Sequence, residues 1–156
     1  MKRVLFVAST GGHLNELLQL KSLFPTVDYH LITEGGPSTA HLKASYPQRV
    51  HFLLFGSREH LFSYLFKFVI NAFLSLFYVL RFRPHAVVST GTHTAVVLCY
   101  VAKLLGAKLI YLETFANVHR GNLAGKLLYP IVDRYYVQWE SLKAVYPKAL
   151  YVGKIY

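Results

Sequence analysis

At 156 residues the chain is long enough for one domain with its own core and too short for two of ordinary size. Apolar residues make up 54% of it, twelve Tyr and eleven Phe among them, which excludes disorder and points to a sticky surface or a membrane contact. Seventeen basic residues against seven acidic give a formal charge of +10, which suits nucleic acid, an anionic bilayer or phosphorylated small molecules without choosing among them.

The opening MKRVLFVAS has an apolar run too short for a signal peptide or an anchor and reads as a strand. That strand, Val4 to Ala8, stops at Ser9-Thr10-Gly11-Gly12 before His13 opens a helix. Adjacent glycines let a ligand approach the backbone, and the unpaired N–H groups of a helix start favour a phosphate or another anion. GxGxxG and a Walker lysine are both absent, so the turn names no particular ligand, and a tight turn that binds nothing is the alternative. Thr10, Gly11, Gly12, His13 and Asn15 are its candidate binding residues.

Leu14, Leu17 and Leu18 share a helical face, widened by Leu20 and Phe24, and Pro25 closes the helix. Tyr29 to Thr33 and Val50 to Phe55 read as strands, with a glycine turn at Gly35-Gly36 and a weak helix to about Ala44 between them. Leu61 to Leu80 carries one charge, Lys67, and is long enough to cross a bilayer. Strand patterns on both sides make a crossover helix the parsimonious reading, since a crossing would split one sheet across the membrane. Its outer side then needs cover from lipid or a partner. The residues expected at a membrane are Arg58, Phe62, Phe66, Lys67, Phe73, Arg81 and Arg83, the basic ones placed to meet anionic headgroups or to form a solvated rim.

Ala86 to Ser89 is the next strand, and Ser89-Thr90-Gly91-Thr92-His93-Thr94 repeats the equipment of the first turn: hydroxyls, glycine and a histidine at a helix start. Gly91, Thr92, His93 and Thr94 are candidate binding residues on that ground. Either His13 or His93 is placed to pass a proton near neutral pH or to donate to a phosphate. A helix follows from Ala95 to Leu105, a strand from Lys108 to Leu112, a short helix from Asn122 to Tyr129, a strand from Arg134 to Gln138, a small helix from Ser141 to Tyr146 and a last strand from Ala149 to Val152. Glu113 ends an apolar strand, where a carboxylate is costly unless paired; Arg120, His119 or a sugar hydroxyl are the partners considered. Cys99 reads as a small core residue. His30, His41, His51, His60 and His85 show no metal-like spacing and read as surface or turn residues, so no metal site is expected. No recognition helix or stacked-aromatic motif accompanies the basic charge, and nucleic acid is not the expected partner.

Alternating strands and helices with short connections predict an α/β, doubly wound, mainly parallel sheet in one domain, residues 1–156. Ligands gather at the carboxyl ends of such strands.

STGGHLNEL, the apolar helix continuing into RFRPHAVVSTGTHTA, IYLETFANVHRGNLAGKLLYPIVDRYYVQW and the terminal PKALYVGKIY together resemble the Alg14-like subunit of split glycosyltransferases. The resemblance implies a Rossmann-like N-terminal half of a GT-B fold that pairs with an Alg13-like subunit. The partner would bind most of the nucleotide-sugar. This chain would bind a polyprenyl-diphosphate-linked saccharide and dock peripherally at the cytoplasmic face of the cell membrane, in bacterial capsule or exopolysaccharide assembly. Carried over by position, Gly11, Gly12 and His13 form the first loop, Gly91 to Thr94 the second, and Glu113 matches the acidic residue of a motif in the related peptidoglycan enzyme. The resemblance further implies an inverting reaction without metal or cofactor, with His13 accepting the hydroxyl proton. The rival readings are a non-catalytic scaffold for a partner enzyme and a self-contained nucleotide-sugar-binding enzyme.

Overall fold

The computed structural model describes residues 1–55 and 61–155, the side chains of residues 61–64 and 93 excepted. Seven strands, β1 (Arg3–Ala8), β2 (Asp28–Gly35), β3 (Val50–Leu54), β4 (Ala86–Gly91), β5 (Lys108–Leu112), β6 (Arg134–Val137) and β7 (Leu150–Tyr151), form one sheet in the order β3-β2-β1-β4-β5-β6-β7. Every pairing is parallel. The sheet is the doubly wound, Rossmann-like class expected from the sequence. Its chain runs outward from β1 to β3 and then returns to the other side of β1, so the crevice between β1 and β4 is the switch point where such sheets take ligands.

Both faces of the sheet are covered, which is why β1 is buried from Val4 through Ala8 instead of alternating with polar residues. Val4, Phe6 and Ala8 turn to one layer, with Leu14, Leu17, Phe24 and Leu42. That layer holds α1 (Gly12–Gln19), a 3-10 segment (Leu20–Thr26) and α2 (Leu42–Ser45). Leu5 and Val7 turn to the other, with Val79, Leu98, Cys99, Tyr111 and Leu128, beneath α3 (Leu61–Phe82), α4 (His93–Leu104) and α5 (Leu123–Leu128). The α-helical pitch of α1 ends at Gln19, six residues before Pro25, and the remainder tightens into the 3-10 segment with Pro25 inside it.

The long apolar segment is a crossover helix. Asn71, Ser75 and Val79, four residues apart, make the buried stripe of α3, with Leu74, Tyr78 and Phe82 half-buried beside them. Asn71 takes the Leu54 N–H on its Oδ1 (2.7 Å) and donates to the Leu54 carbonyl (2.9 Å), while the Tyr78 hydroxyl donates to the Phe52 carbonyl (2.9 Å). The helix therefore covers the carboxyl end of the outer edge of β3. Leu65, Phe66, Val69, Phe73, Leu76, Phe77 and Leu80 face outward.

Two histidines depart from the surface role read for them. His30 on β2 and His51 on β3 are half-buried under the Phe82 ring, with His30 Nδ1 2.9 Å from His51 Nε2. Alternating side chains on neighbouring parallel strands put both on one face, a pairing invisible to a search for metal spacing. His85 Nδ1 accepts the Arg3 N–H (3.1 Å), and His60 lies outside the described residues.

Candidate functional site at the switch point

The turns after β1 and β4 lie side by side. Ala8 pairs with Gly91, and the Ser9 N–H donates to the Gly91 carbonyl at 3.2 Å. His13 Nδ1 lies 2.8 Å from the Thr90 carbonyl, while the Thr90 hydroxyl donates to the His13 carbonyl at 2.7 Å. A carbonyl only accepts, so Nδ1 carries the hydrogen and the neutral ring keeps its lone pair on Nε2. The bond fixes the plane of the ring and turns Nε2 away from Thr90. Gly11 and Gly12 beside it are exposed, Gly11 at φ 80°, and the first bond of α1 runs from Asn15 N–H to the Gly11 carbonyl. The N–H groups ahead of that bond belong to the helix start and suit an anion.

In the second turn, Thr92 caps α4 by accepting from the N–H groups of Ala95 (3.0 Å) and Val96 (3.2 Å) on its carbonyl. Thr94 is buried and donates its hydroxyl to Glu34. The His93 side chain lies outside what is described, as do Ser57 and Arg58 altogether and the Phe62 side chain. Asn15 is exposed one turn of α1 beyond the glycines and lines a hollow of about 350 Å³ with Glu16, Gln19, Phe115 and Ala116. The larger hollow, about 780 Å³, lies at the amino-terminal ends of β6 and β7, against Tyr129, Asp133, Arg134 and Lys148, away from the switch point.

Glu113 sits beneath this edge with no exposed surface. Asn117 and Asn122 donate their amides to Oε1 at 2.9 Å each, and the Tyr135 hydroxyl donates to Oε2 at 2.6 Å. Its partners are therefore neutral, not His119 or Arg120, which are exposed. Burial pushes its carboxyl pKa up, against the pull of the Tyr135 and Asn117 bonds. Asn122 also accepts the Gly125 N–H (2.6 Å) as the cap of α5 and the Tyr111 hydroxyl (3.1 Å). The carboxylate thereby orders the whole loop after β5.

Two carboxylates on this edge escaped the sequence reading. Glu16 on α1 accepts the Thr114 hydroxyl (2.7 Å) and the Phe115 N–H (3.0 Å), tying the first turn to the loop after β5. Glu34 is next to last in β2 and is 3% exposed. It accepts from Thr10 on one side of the crevice and Thr94 on the other. The cost of a carboxylate at a strand end, the signal that marked Glu113, applied equally to Glu34.

The residues expected at a membrane gather on α3. Phe66 and Phe73 are each 69% exposed, Lys67 is half-buried, and Arg81 and Arg83 are exposed. Leu104 on α4 and Leu123 and Leu127 on α5 continue an apolar exposed surface over the same layer. Neither Asp nor Glu occurs in α3, α4 or α5, whereas Lys67, Arg81, Lys103 and Lys126 do. The segment 65–82 is long and apolar enough to cross a membrane by length and composition.

Residues 4–155 match the family described as oligosaccharide biosynthesis protein Alg14 like. The UDP-N-acetylglucosamine transferase subunit ALG14 of Mus musculus is 31% identical, over 98% of this chain and 82% of its own length. The subunit of the same name in Yarrowia lipolytica is 31% identical, over 97% of this chain and 67% of its own. Among solved structures, Acinetobacter baumannii MurG superposes with a TM-score of 0.75 at 18% identity, over 90% of this chain and 43% of that one. UDP-N-acetylglucosamine 2-epimerase from Rickettsia bellii gives 0.74 at 15% identity, over 99% of this chain and 45% of that one. The chain thus spans less than half of either structure, and at these identities the likeness concerns the fold alone. With a family match over nearly its full length, the chain belongs to the Alg14-like oligosaccharide biosynthesis proteins.

Proposed function

We propose that this chain is the acceptor-binding, membrane-docking subunit of a two-chain glycosyltransferase, whose partner, an Alg13-like subunit, brings the nucleotide-sugar. The observation that carries the reading is His13, held by Thr90 on Nδ1 with no partner on Nε2 among the described residues, beside the exposed Gly11-Gly12 turn. In this reading a polyprenyl-diphosphate-linked saccharide places its diphosphate against the N–H groups of the first turn. Its sugar hydroxyl then meets His13 Nε2, which takes the proton as oxygen attacks the anomeric carbon. The nucleoside diphosphate departs into the partner. Positioning supplies much of the rate, because both substrates are held across one cleft. The name of the two relatives, UDP-N-acetylglucosamine transferase subunit, makes UDP-N-acetylglucosamine the donor to try first. Bacterial capsule or exopolysaccharide assembly is proposed on the sequence resemblance alone; the two relatives compared are eukaryotic.

Docking is assigned to the acid-free layer of α3, α4 and α5, lying on the cytoplasmic face of the membrane. Apolar exposure with only basic charges suits an anionic bilayer. Because α3 links β3 and β4 of one sheet, a crossing orientation would pull that sheet apart, so the helix lies on the bilayer.

The test is reconstitution with an Alg13-like partner encoded beside this chain, UDP-N-acetylglucosamine and a short polyprenyl-diphosphate acceptor. Transfer by the pair and little by the isolated chain is expected. Strong transfer by the purified chain alone overturns the reading.

A further inference from the structure

Glu34 spans the crevice. Its Oε2 accepts both the N–H and the hydroxyl of Thr10 at 3.3 Å, and its Oε1 accepts the hydroxyl of Thr94. Thr10 directly precedes the glycine pair that leads to His13; Thr94 sits in the first turn of α4, just past Gly91. Among the described residues no Lys, Arg or His is within ion-pair distance of Glu34. A nearly buried carboxylate with no cation beside it among the described residues is expensive, and here it adjoins a turn that the reading above gives to an anion, which it repels. Stability and anion affinity both argue for a neutral residue at this position. What a carboxylate alone supplies is acceptor capacity with no hydrogen of its own, enough for three donors arriving from two separate turns. A glutamine would face one set of donors with its amide hydrogens.

We propose that Glu34 is a positioning residue: by holding Thr10 and Thr94 on one carboxylate, it fixes the register of the two turns and so aims His13 across the crevice. The link is short. His13 is bound to Thr90, and Thr90 and Gly91 close β4 four and three residues ahead of the Thr94 anchor, so slippage of either turn rotates or strips the imidazole. The function of this aim rests on the transfer reading given above, whereas the mechanical coupling does not.

Two measurements on the full chain separate those layers. The first is the ¹⁵N spectrum of the His13 ring in the isolated chain. Thr94→Val and Glu34→Gln are expected to shift or broaden its Nδ1 signal, and Thr94→Ser, which keeps the hydroxyl, to restore it. An unmoved signal in both Thr94→Val and Glu34→Gln overturns the proposal, whether or not the pair transfers sugar. The second is transfer by the chain with its partner. A misaimed base is expected to lower kcat by about 10²-fold in Thr94→Val with little change in acceptor KM, while the double variant with Glu34→Gln falls no further than either single change. An increase in KM at unchanged kcat, or a loss that tracks melting temperature and is not rescued by serine, overturns it. If the wild-type pair is inactive while the ring signal moves, the transfer reading fails and the coupling stands.

Discussion

Gly91 lies against the His13 ring. A Cβ at that position would stand 3.3 Å from Nδ1 and 3.1 Å from the Tyr111 hydroxyl, on a backbone with φ 108°. Gly91→Ala is therefore expected to cost about 1–3 kcal/mol from backbone strain and to push the imidazole off Thr90. Gly106 makes the control, since it shares a positive φ (91°) but faces open space far from the crevice. Urea unfolding should find both alanine variants destabilised, and the reconstituted pair should lose transfer only with the first.

His13→Ala removes the proton acceptor while leaving a half-buried site with little packing to lose. Single-turnover transfer by the pair should fall about 10²-fold or more, with co-purification of the partner unchanged. A scaffold that only recruits its partner would keep nearly full activity.

The loop after β5 should prove rigid. At Gly125 an added Cβ would stand 2.4 Å from the Tyr135 hydroxyl and 2.5 Å from Glu113 Oε2, two groups bonded to each other and unable to yield. Gly125→Ala is expected to destabilise the chain by about 1–3 kcal/mol, read from chemical denaturation, through overpacking and loss of the Glu113 bonds.

Acid should weaken the fold through the histidine pair. Burial, then the neighbouring His30, hold the His51 pKa down at about 4, against 6.5 for a free imidazole. Between those values the unfolded chain binds a proton that the folded chain refuses, so stability falls as pH drops from about 6.5 to about 4 and is level above. The whole displacement corresponds to roughly 3 kcal/mol, reduced to about 1–2 because the half-exposed ring keeps some water. The melting temperature of His51→Phe should rise relative to wild type as pH falls from about 6.5 to about 4, the variant keeping only the dependence that the likewise depressed His30 contributes.

Membrane binding should follow the outward face of α3. Phe66→Asp with Phe73→Asp alters two side chains that contribute nothing to the core, so folding should persist. Sedimentation with anionic vesicles should weaken by about 10²-fold or more, two phenylalanines each being worth about 1.5–3 kcal/mol on burial. Arg81→Gln with Arg83→Gln should lower binding by about 1 kcal/mol per residue and flatten its salt dependence, with neutral vesicles unaffected.

The sheet, its parallel pairings and the place of the two glycine turns were legible in the sequence because each rests on short-range signals: apolar runs of strand length, and Gly-Gly or Thr-Gly-Thr where a run stops. The crossover role of α3 was legible for the same reason, from strand patterns on both sides. What escaped depends on partners distant along the chain. Glu34 meets Thr94 across sixty positions, Glu16 meets Thr114 across ninety-eight, and His30 finds His51 only when β2 and β3 lie in register. Glu113 was singled out for the right cost, but the partners considered were Arg120, His119 or a sugar hydroxyl, because nothing local shows that Asn122 folds back as a helix cap to serve it.

Asn71 and Tyr78 occupy the Leu54 N–H and carbonyl and the Phe52 carbonyl on the outer border of β3. The opposite border, β7, is only two residues long. Among the described residues, each flank thus offers a foreign strand only a shortened ladder. On the reading proposed above, a companion subunit is expected to meet this chain through its loops or its helical layers, leaving two separable bodies that can part to admit substrate and shut around it.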